Sequence, residues 1–343
     1  MIIYTIENMT LDMERALYGA HDCLIRNCRF EGPADGESAL KECREIIVRD
    51  CDFRLRYPFW HVTGANVQNI TMTDTCRAAF WYDRKVQVYD SRLGGIKAFR
   101  EMDDCLLRNC DIDSKEFGWF CRGLKVRDTK LVSEYPFFQC RDMEIDGLTM
   151  QGKYSFQYCE NITIRNSHLD TKDAFWHAKN VTVYDSVVKG EYLAWYAENI
   201  RFVRCKIIGT QPLCYVKGLV LEDCTMEGCD LSFENSEVEA TVSGSIDSVK
   251  NPVRGFIHAD AIGEVIIDEY KRSRPWRHVA NKSHASISCR SSRLGQNLGA
   301  REGDGTAASS APNISTAPAP AFMRGSAAYL IFFFFFFIGA SGI

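Results

Sequence analysis

Apolar residues recur along most of this chain with a fixed step of 19 residues. In each repeat a small residue follows an Asp, Asn or Gly, and apolar columns lie five and three residues before this marker and two residues after it. Polar residues separate the columns, and an alternation of period two is typical of β-strands. The pattern therefore predicts short strands that repeat around nine regularly spaced markers: Ser91, Cys110, Thr129, Leu148, Ser167, Ser186, Cys205, Cys224 and Ser243.

The residue before each marker predicts a tight turn. Asn109, Asp128, Gly147 and Asn166 hold this position in four successive repeats. Asn, Asp and Gly interchange where the backbone adopts a positive φ. We therefore predict positive φ along the whole turn column.

Repeats of this size stack into a parallel β-solenoid, in which each coil buries its apolar columns against the next. Counting the markers from Cys28 to Ser243 gives about twelve coils, most of them 19 residues long. A right-handed coil follows from the usual hand of parallel crossover connections. We predict an all-β, right-handed, single-stranded parallel β-helix over residues 1–270, with inward-facing markers. Residues 1–17 and 261–268 are its predicted end caps.

The composition narrows the classes of partner and the cell compartment. The net charge is −4, and this lack of a basic surplus argues against a nucleic-acid partner. The first residues lack a basic stretch followed by an apolar core, so we expect no signal peptide and a cytoplasmic location.

The cysteines favour a core role over a disulfide framework or a metal site. The chain has 15 cysteines, and most occupy core columns, as Cys121, Cys140 and Cys159 do. Paired Cys-x-x-Cys spacings with further ligands are lacking, so we predict reduced thiols, no metal site and no cofactor.

The repeat stops after Tyr270. Residues 283–328 are rich in Ser, Ala, Gly and Pro, a composition typical of disorder. The phenylalanine run at 332–337 is too short for a membrane span, which needs about 20 residues. We predict that residues 271–343 are a disordered or non-native low-complexity tail, with no membrane contact unless the apolar run is native.

A third segment of each coil collects aromatic residues in adjacent columns. Five of the six tryptophans share one column, a phenylalanine-rich column precedes it, and a Tyr/His column follows it. If the segment is a strand, neighbouring columns face opposite sides. The tryptophan parity otherwise contains mainly Ala, Cys and Pro, whereas the other parity contains more acids. We therefore predict that the tryptophans face inward and that the Tyr/Phe/His parity faces outward.

The outward parity is the candidate ligand-binding site. Its members are His61, Tyr82, Tyr135, Phe137, Tyr154, Phe156, Tyr158, Asp173, Phe175, His177 and Tyr196. Aromatic rings interspersed with acids and amides suit a glycan, so carbohydrate binding or processing is one interpretation. The other is a non-catalytic scaffold that binds a protein partner or another copy of itself, because exposed aromatic patches also mark interfaces.

Evidence for catalysis is weak. Lys41, Glu42, Arg100 and Glu101 are the nearest candidates for catalytic groups, yet a surface ion-pair set explains them as well. Hydrolysis of a glycosidic bond needs two carboxyl groups ~5–9.5 Å apart. We find no outward acid pair on the third segment that meets this distance, and whether the chain is an enzyme stays open.

Three segments resemble a known family: GPADGESALKE at 32–42, YPFWH at 57–61 and DAFWH at 173–177. They are similar to the domain of unknown function 3737, a family of right-handed β-helix proteins in the pectate-lyase-like superfamily. The resemblance covers roughly residues 1–269 and leaves out the tail. It implies the β-helix fold and transfers no catalytic residue.

Overall fold

A computed structural model describes residues 2–32, 38–268, 276–281 and 284–289 of the chain. Within these ranges the chain forms strands and turns but no helix, and it winds into a parallel β-solenoid of about 14 turns. The predicted fold class and the repeat of about 19 residues are confirmed, although the prediction of twelve coils was slightly low. No helix in the described part of the chain is long and apolar enough to cross a membrane.

Sheet 1 contains one strand from each coil. Its strands pair in parallel and in register, so that Met143, Ile162 and Val181 are successive partners in one apolar column. The strands are Tyr4–Glu7, Cys23–Arg26, Arg44–Arg49, Thr63–Gln68, Arg84–Tyr89, Leu106–Arg108, Lys125–Arg127, Arg141–Asp146, Glu160–Arg165, Lys179–Tyr184, Glu198–Val203, Lys217–Glu227, Glu237–Val242 and Arg254–Ala259.

Sheet 2 follows the tight turn of each coil. Its strands are Thr10–Leu11, Arg29–Phe30, Asp52–Phe53, Thr71–Met72, Arg92–Leu93, Asp111–Asp113, Lys130–Glu134, Thr149–Lys153, His168–Lys172, Val187–Lys189, Lys206–Ile208 and the second half of Lys217–Glu227. Two smaller parallel groups complete the coils: Phe59–Trp60, Phe80–Trp81 and Phe99–Arg100 in one, and Ser245–Lys250 and Ala261–Ile266 in the other.

The turn between sheets 1 and 2 has the predicted backbone. The φ angles of Asn109, Asp128, Gly147 and Asn166 are 53°, 46°, 73° and 48°. The side chains also form a ladder, in which the Asn109 amide donates to Asp90 at 2.7 Å. The marker residues after this turn are buried, as predicted, except for Ser243 in the penultimate coil.

The interior holds apolar columns and thiols. All 14 cysteines whose side chains are described are free and buried. The thiol of Cys159 donates to the carbonyl of Phe137 at 2.8 Å, and that of Cys140 donates to the carbonyl of Gly118 at 2.6 Å. The cysteines are therefore packing residues that satisfy backbone acceptors of earlier coils.

The first residues of the chain differ from the prediction. Tyr4–Glu7 pairs in parallel with Cys23–Arg26, and Asn8 repeats the turn conformation with a φ of 56°. This segment supplies an additional coil, so the count of coils from Cys28 starts one coil too late, and the role of residues 1–17 as an end cap stays a prediction. The strand predicted at 261–268 is present as Ala261–Ile266, which pairs in parallel with Ser245–Lys250.

Two strands lie beyond residue 270, where the prediction placed only tail. His284–Cys289 pairs antiparallel with Arg254–Ala259 and with Trp276–Asn281. The backbone of these segments therefore differs from the predicted disorder. The chain divides into two units, Met1–Ser292 and Arg293–Ile343. The second unit, with the phenylalanine run, lies outside the described residues.

Candidate functional site

From residue 116 onward, the third side of each coil is built mainly from left-handed backbone, whereas three earlier coils have a short strand there. In one coil Asp173, Phe175 and His177 have φ angles of 54°, 61° and 55°. Backbone bonds to both neighbouring coils persist, since the Phe175 N–H donates to the carbonyl of Ser155 at 2.8 Å and the His177 N–H to that of Trp195 at 3.0 Å. Because every second residue is left-handed, side chains do not alternate between two faces as they do in a strand.

The predicted orientation of the aromatic columns is wrong for this reason. Phe137, Phe156 and Phe175 are completely buried, so they cannot contact a ligand. Trp176 is instead half-buried and lies on the outside together with His177. The phenylalanine column is therefore the inward one, and the tryptophan and Tyr/His columns both face outward.

The buried phenylalanines form a stack along the solenoid axis. The ring of Phe156 lies 5.0 Å from that of Phe137 and 4.9 Å from that of Phe175, with interplanar angles of 15° and 9°. Such close parallel rings keep the third side of neighbouring coils in register and fix the backbone that carries the outward columns.

In three successive coils, eight partly exposed side chains and the nearly buried Asp173 form a surface that we name the outer face. It consists of Tyr154, Gln157, Tyr158, Asp173, Trp176, His177, Tyr192, Trp195 and Tyr196. Of the predicted ligand-binding residues, the structure brings Tyr154, Tyr158, Asp173, His177 and Tyr196 together here. Their role in binding stays a prediction.

One column of the outer face is a continuous ladder of stacked rings. The spacings from Tyr158 to His177, from His177 to Tyr196 and from Tyr196 to Tyr215 are 4.9, 5.2 and 4.8 Å. The interplanar angles are 10°, 10° and 14°, so each inner ring has both faces covered by its neighbours. The ladder therefore presents ring edges, hydroxyl groups and an imidazole to solvent.

The two tryptophans of the outer face are held in fixed orientations. Their rings stack at 5.6 Å with an interplanar angle of 4°. The Trp176 indole N–H donates to the carbonyl of Tyr192 at 2.7 Å, and the Trp195 indole N–H donates to that of Gln211 at 2.9 Å. A surface whose rotamers are fixed before binding loses less entropy when a ligand arrives.

The ionisable groups of the outer face are perturbed by burial. Burial raises the pKa of Asp173 to about 6, with a smaller raising effect from Glu191. The ammonium of Lys172 opposes this shift, but it is paired with Glu191 at 2.7 Å. Burial also lowers the pKa of His177, which favours a neutral imidazole at pH 7.

A second aromatic group occupies earlier coils. His61 stacks on Tyr82 at 5.1 Å, and Trp60 stacks on Trp81 at 5.4 Å. The buried indole N–H groups of both tryptophans have no hydrogen-bond partner in the described parts of the chain. Between this group and the outer face, Tyr135 stacks on Tyr154 at 4.7 Å.

The four weak catalytic candidates do not converge. Lys41 places its ammonium 4.0 Å from the Trp60 ring centroid, whereas Arg100 pairs with Glu101 at 3.2 Å. Lys41 and Arg100 are three coils apart, roughly 14 Å at the usual spacing of parallel strands, and Glu42 is exposed. Their contacts are those of ion pairs and a cation–π pair rather than of one catalytic centre.

The sequence analysis missed part of the outer face. Trp176 and Trp195 were assigned to the interior, and Gln157 and Tyr192 were not selected. The repeat could have identified Tyr192, because this residue lies 19 residues after Asp173 in the same column. Within the ranges that the structure describes, no cluster of three or more His, Cys, Asp or Glu side chains is arranged to hold a metal ion.

Solved structures with a similar fold have low sequence identity. PfbA, a surface adhesin of Streptococcus pneumoniae, is 6% identical with a TM-score of 0.44, covering 83% of this chain and 90% of that chain. The A-module of the Azotobacter vinelandii mannuronan C-5 epimerase AlgE4 is 11% identical with a TM-score of 0.35, covering 70% and 90%. The catalytic domain of a GH87 α-1,3-glucanase is 11% identical with a TM-score of 0.29, covering 78% and 62%. At these values the likenesses carry no information about function.

The comparison with protein families is more specific. None of the curated proteins matches the chain. Residues 4–279 match the family described as "Protein of unknown function (DUF3737)", a range that spans almost all of the solenoid. The resemblance found in three short segments is thus confirmed, and the chain belongs to the DUF3737 family.

Proposed function

We propose that the outer face binds an extended carbohydrate. The observation that carries the proposal is the ladder of Tyr158, His177, Tyr196 and Tyr215, whose stacked rings present polar edges in one row. Its three spacings of 4.9, 5.2 and 4.8 Å place the end rings roughly 15 Å apart. Such a row offers hydrogen-bonding groups at regular intervals to a ligand that lies along the solenoid axis.

The mode of contact differs from flat stacking of a sugar on an exposed ring. Both faces of His177 and Tyr196 are covered by neighbouring rings, so hydroxyl and imidazole edges make the polar contacts. The half-buried edges of Trp176 and Trp195 supply apolar surface beside them. Ligand sites commonly combine such apolar surface with a few well-placed polar groups.

The geometry favours binding over cleavage. Asp173 is a buried carboxyl group, whereas the neighbouring acid Glu191 pairs with Lys172 at 2.7 Å. Glycosidic hydrolysis uses two carboxyl groups with separate roles as acid and as base or nucleophile. A Glu191 carboxylate neutralised by an ammonium is poorly suited to the second role.

A protein partner is the second candidate function, and the exposed aromatic side chains in and near the outer face favour it. Tyr, Trp and Arg are enriched among the residues that dominate protein interfaces. Tyr158 and Tyr135 are 49% and 41% exposed, and Phe120 lies between the two aromatic groups at 36%. These side chains could be buried by another protein without any sugar.

A glycan array separates the two candidates. The chain is compared with a Tyr158→Phe/His177→Phe/Tyr196→Phe variant, which keeps aromatic rings in the ladder and removes three polar edges. A neutral hydrogen bond contributes roughly 0.5–1.5 kcal/mol, so the triple change should weaken glycan binding at least tenfold. Tyr89→Phe/Tyr184→Phe on sheet 1 is the matched control and should bind like the unmodified chain. If no glycan binds, or if the triple variant binds as well as the control, the proposal is wrong.

A further inference from the structure

Asp173 interrupts a column of tyrosines on the outer face. The residue before it in the column is Tyr154 and the residue after it is Tyr192, each one coil away. Backbone bonds set this register, because the Tyr154 N–H donates to the carbonyl of Lys172 at 2.7 Å and the Asp173 N–H to that of Glu191 at 2.9 Å. A short acidic side chain thus stands where both neighbours have long aromatic ones.

The Asp173 carboxyl group has no hydrogen-bond partner in the described segments. The residue is only 5% exposed, yet its oxygens are not among the fully buried side-chain atoms without a partner, so they reach solvent at the outer face. The nearest cation, Lys172, is engaged by Glu191. Burial of a carboxylate without hydrogen bonds is unfavourable. The free protein therefore contains, in the coil of Trp176 and His177, a nearly buried carboxyl group that only solvent can hydrogen-bond.

We infer that Asp173 determines the ligand specificity of the outer face by accepting a hydrogen bond from a hydroxyl group of an uncharged sugar. The inference rests on the proposed carbohydrate-binding function and deepens it. A hydroxyl donor satisfies the buried carboxylate, and a bond to a charged acceptor is stronger than one between neutral groups. An acidic sugar places a second negative charge near Asp173 and is disfavoured.

The charged and titratable groups around Asp173 set the pH at which this preference operates. They are Lys172 and Glu191, which pair with each other, Tyr154 and Tyr192 in its column, and the imidazole of His177 in its own coil. The pKa of about 6 places the change between a hydroxyl-accepting carboxylate and a neutral acid between pH 5 and 7. The affinity for a neutral sugar should therefore rise over this interval.

Asp83 is the internal comparison. Its carboxyl group is also buried and has one oxygen without a partner in the described part of the chain, while the other accepts the Val62 N–H at 2.7 Å. It is 0% exposed, so a ligand cannot reach it. Substitution of Asp83 tests the general effect of removing a buried carboxyl group.

The test measures affinity for cellohexaose, maltohexaose and a hexamer of galacturonic acid by calorimetry at pH 5, 6, 7 and 8. The proteins are the full chain and its Asp173→Asn, Asp173→Ala and Asp83→Asn variants, each checked for an unchanged thermal unfolding profile. Asp173→Asn keeps the size of the side chain and a hydrogen-bonding group, so the test remains possible if the alanine variant misfolds.

We expect the unmodified chain to bind a neutral hexasaccharide several-fold more tightly at pH 7 than at pH 5. Asp173→Asn should flatten this profile, weaken neutral binding about tenfold at pH 7, and reduce the preference for neutral over acidic hexasaccharide. Asp83→Asn should retain the profile. If a neutral hexasaccharide binds both Asp173 variants with the same affinity and pH profile as the unmodified chain, the inference about Asp173 is overturned while the carbohydrate proposal stands. Absence of binding to every probe overturns the carbohydrate proposal together with it.

Discussion

Replacement of Phe156 by alanine tests the corrected orientation of the aromatic columns. Phe156 is 0% exposed and stacks between Phe137 and Phe175 at 5.0 and 4.9 Å. Truncation of a buried Phe to Ala typically costs 3–5 kcal/mol, and two ring pairs are lost with it. We therefore expect a loss of about 4 kcal/mol in the free energy of unfolding.

Tyr158→Ala is the matched control, because it removes an aromatic ring two residues away in the same coil. Tyr158 is 49% exposed and stacks only on the edge of Phe138 and on His177. Its loss should cost about 1 kcal/mol, the range of one aromatic pair.

Urea unfolding, followed by circular dichroism and by tryptophan fluorescence, measures both variants. Coincident transitions from the two probes are required, because a long repeat protein can depart from two-state unfolding. If Phe156→Ala costs less than Tyr158→Ala, the phenylalanine column is not the inward one and the reasoning is refuted.

Three further predictions concern the solenoid itself. Gly147 has a φ of 73°, and a Cβ atom there would lie 2.9 Å from a carboxylate oxygen of Asp128. In thermal melts, Gly147→Val should therefore lower the free energy of unfolding by roughly 1–2 kcal/mol more than Gly147→Asn. Equal losses of stability for the two variants would contradict the turn assignment. Burial raises the pKa of Asp83 well above its ordinary value, so the stability that its neutral carboxyl group contributes is lost as the pH rises. The denaturant midpoint of the unmodified chain should therefore fall more between pH 4 and pH 8 than that of Asp83→Asn. Parallel pH profiles for the two proteins would be evidence against a buried acid. Burial also raises the pKa of the Cys140 thiol, so a thiol reagent at pH 8 should label it only in urea, and rapid labelling of the native chain would show that the column is accessible.

The strands and the tight turn could be predicted because each has a local signature. The interchange of Gly147 with Asn and Asp identified positive φ, and the alternation around Val183 identified a strand. The first coil was also within reach: Asn8 lies 19 residues before Asn27, and the Asn27 amide donates to it at 2.6 Å. That repeat was missed because residues 1–17, which contain Asn8, were interpreted only as an end cap.

The orientation of the third side could not be predicted from the same signals. Phe156 and Phe175 adopt φ angles of 58° and 61°, although a bulky residue such as phenylalanine rarely adopts a left-handed backbone. Hydrogen bonds to the coils on both sides hold them there, and these long-range contacts leave no pattern in the local sequence. Because the segment was assumed to be a strand, Phe156 was predicted to face outward and Trp176 inward, and the structure has the opposite orientation for both.

The candidate site was predictable in position and only partly in membership. Tyr158, Asp173, His177 and Tyr196 were selected from aromatic and acidic columns, and the structure brings them to one surface. The stacking that covers the ring faces could not be foreseen, because it depends on the side-chain rotamers of successive coils. That stacking changes the proposed contacts from ring faces to polar edges.

A crystal structure of the chain with the best-binding oligosaccharide from the array tests the central claim most directly. We predict sugar density along the outer face, with hydroxyl groups within hydrogen-bond distance of the Tyr158 hydroxyl, the His177 imidazole and the Asp173 carboxylate. Density on sheet 1 or sheet 2, with the outer face unchanged and unoccupied, would contradict the account.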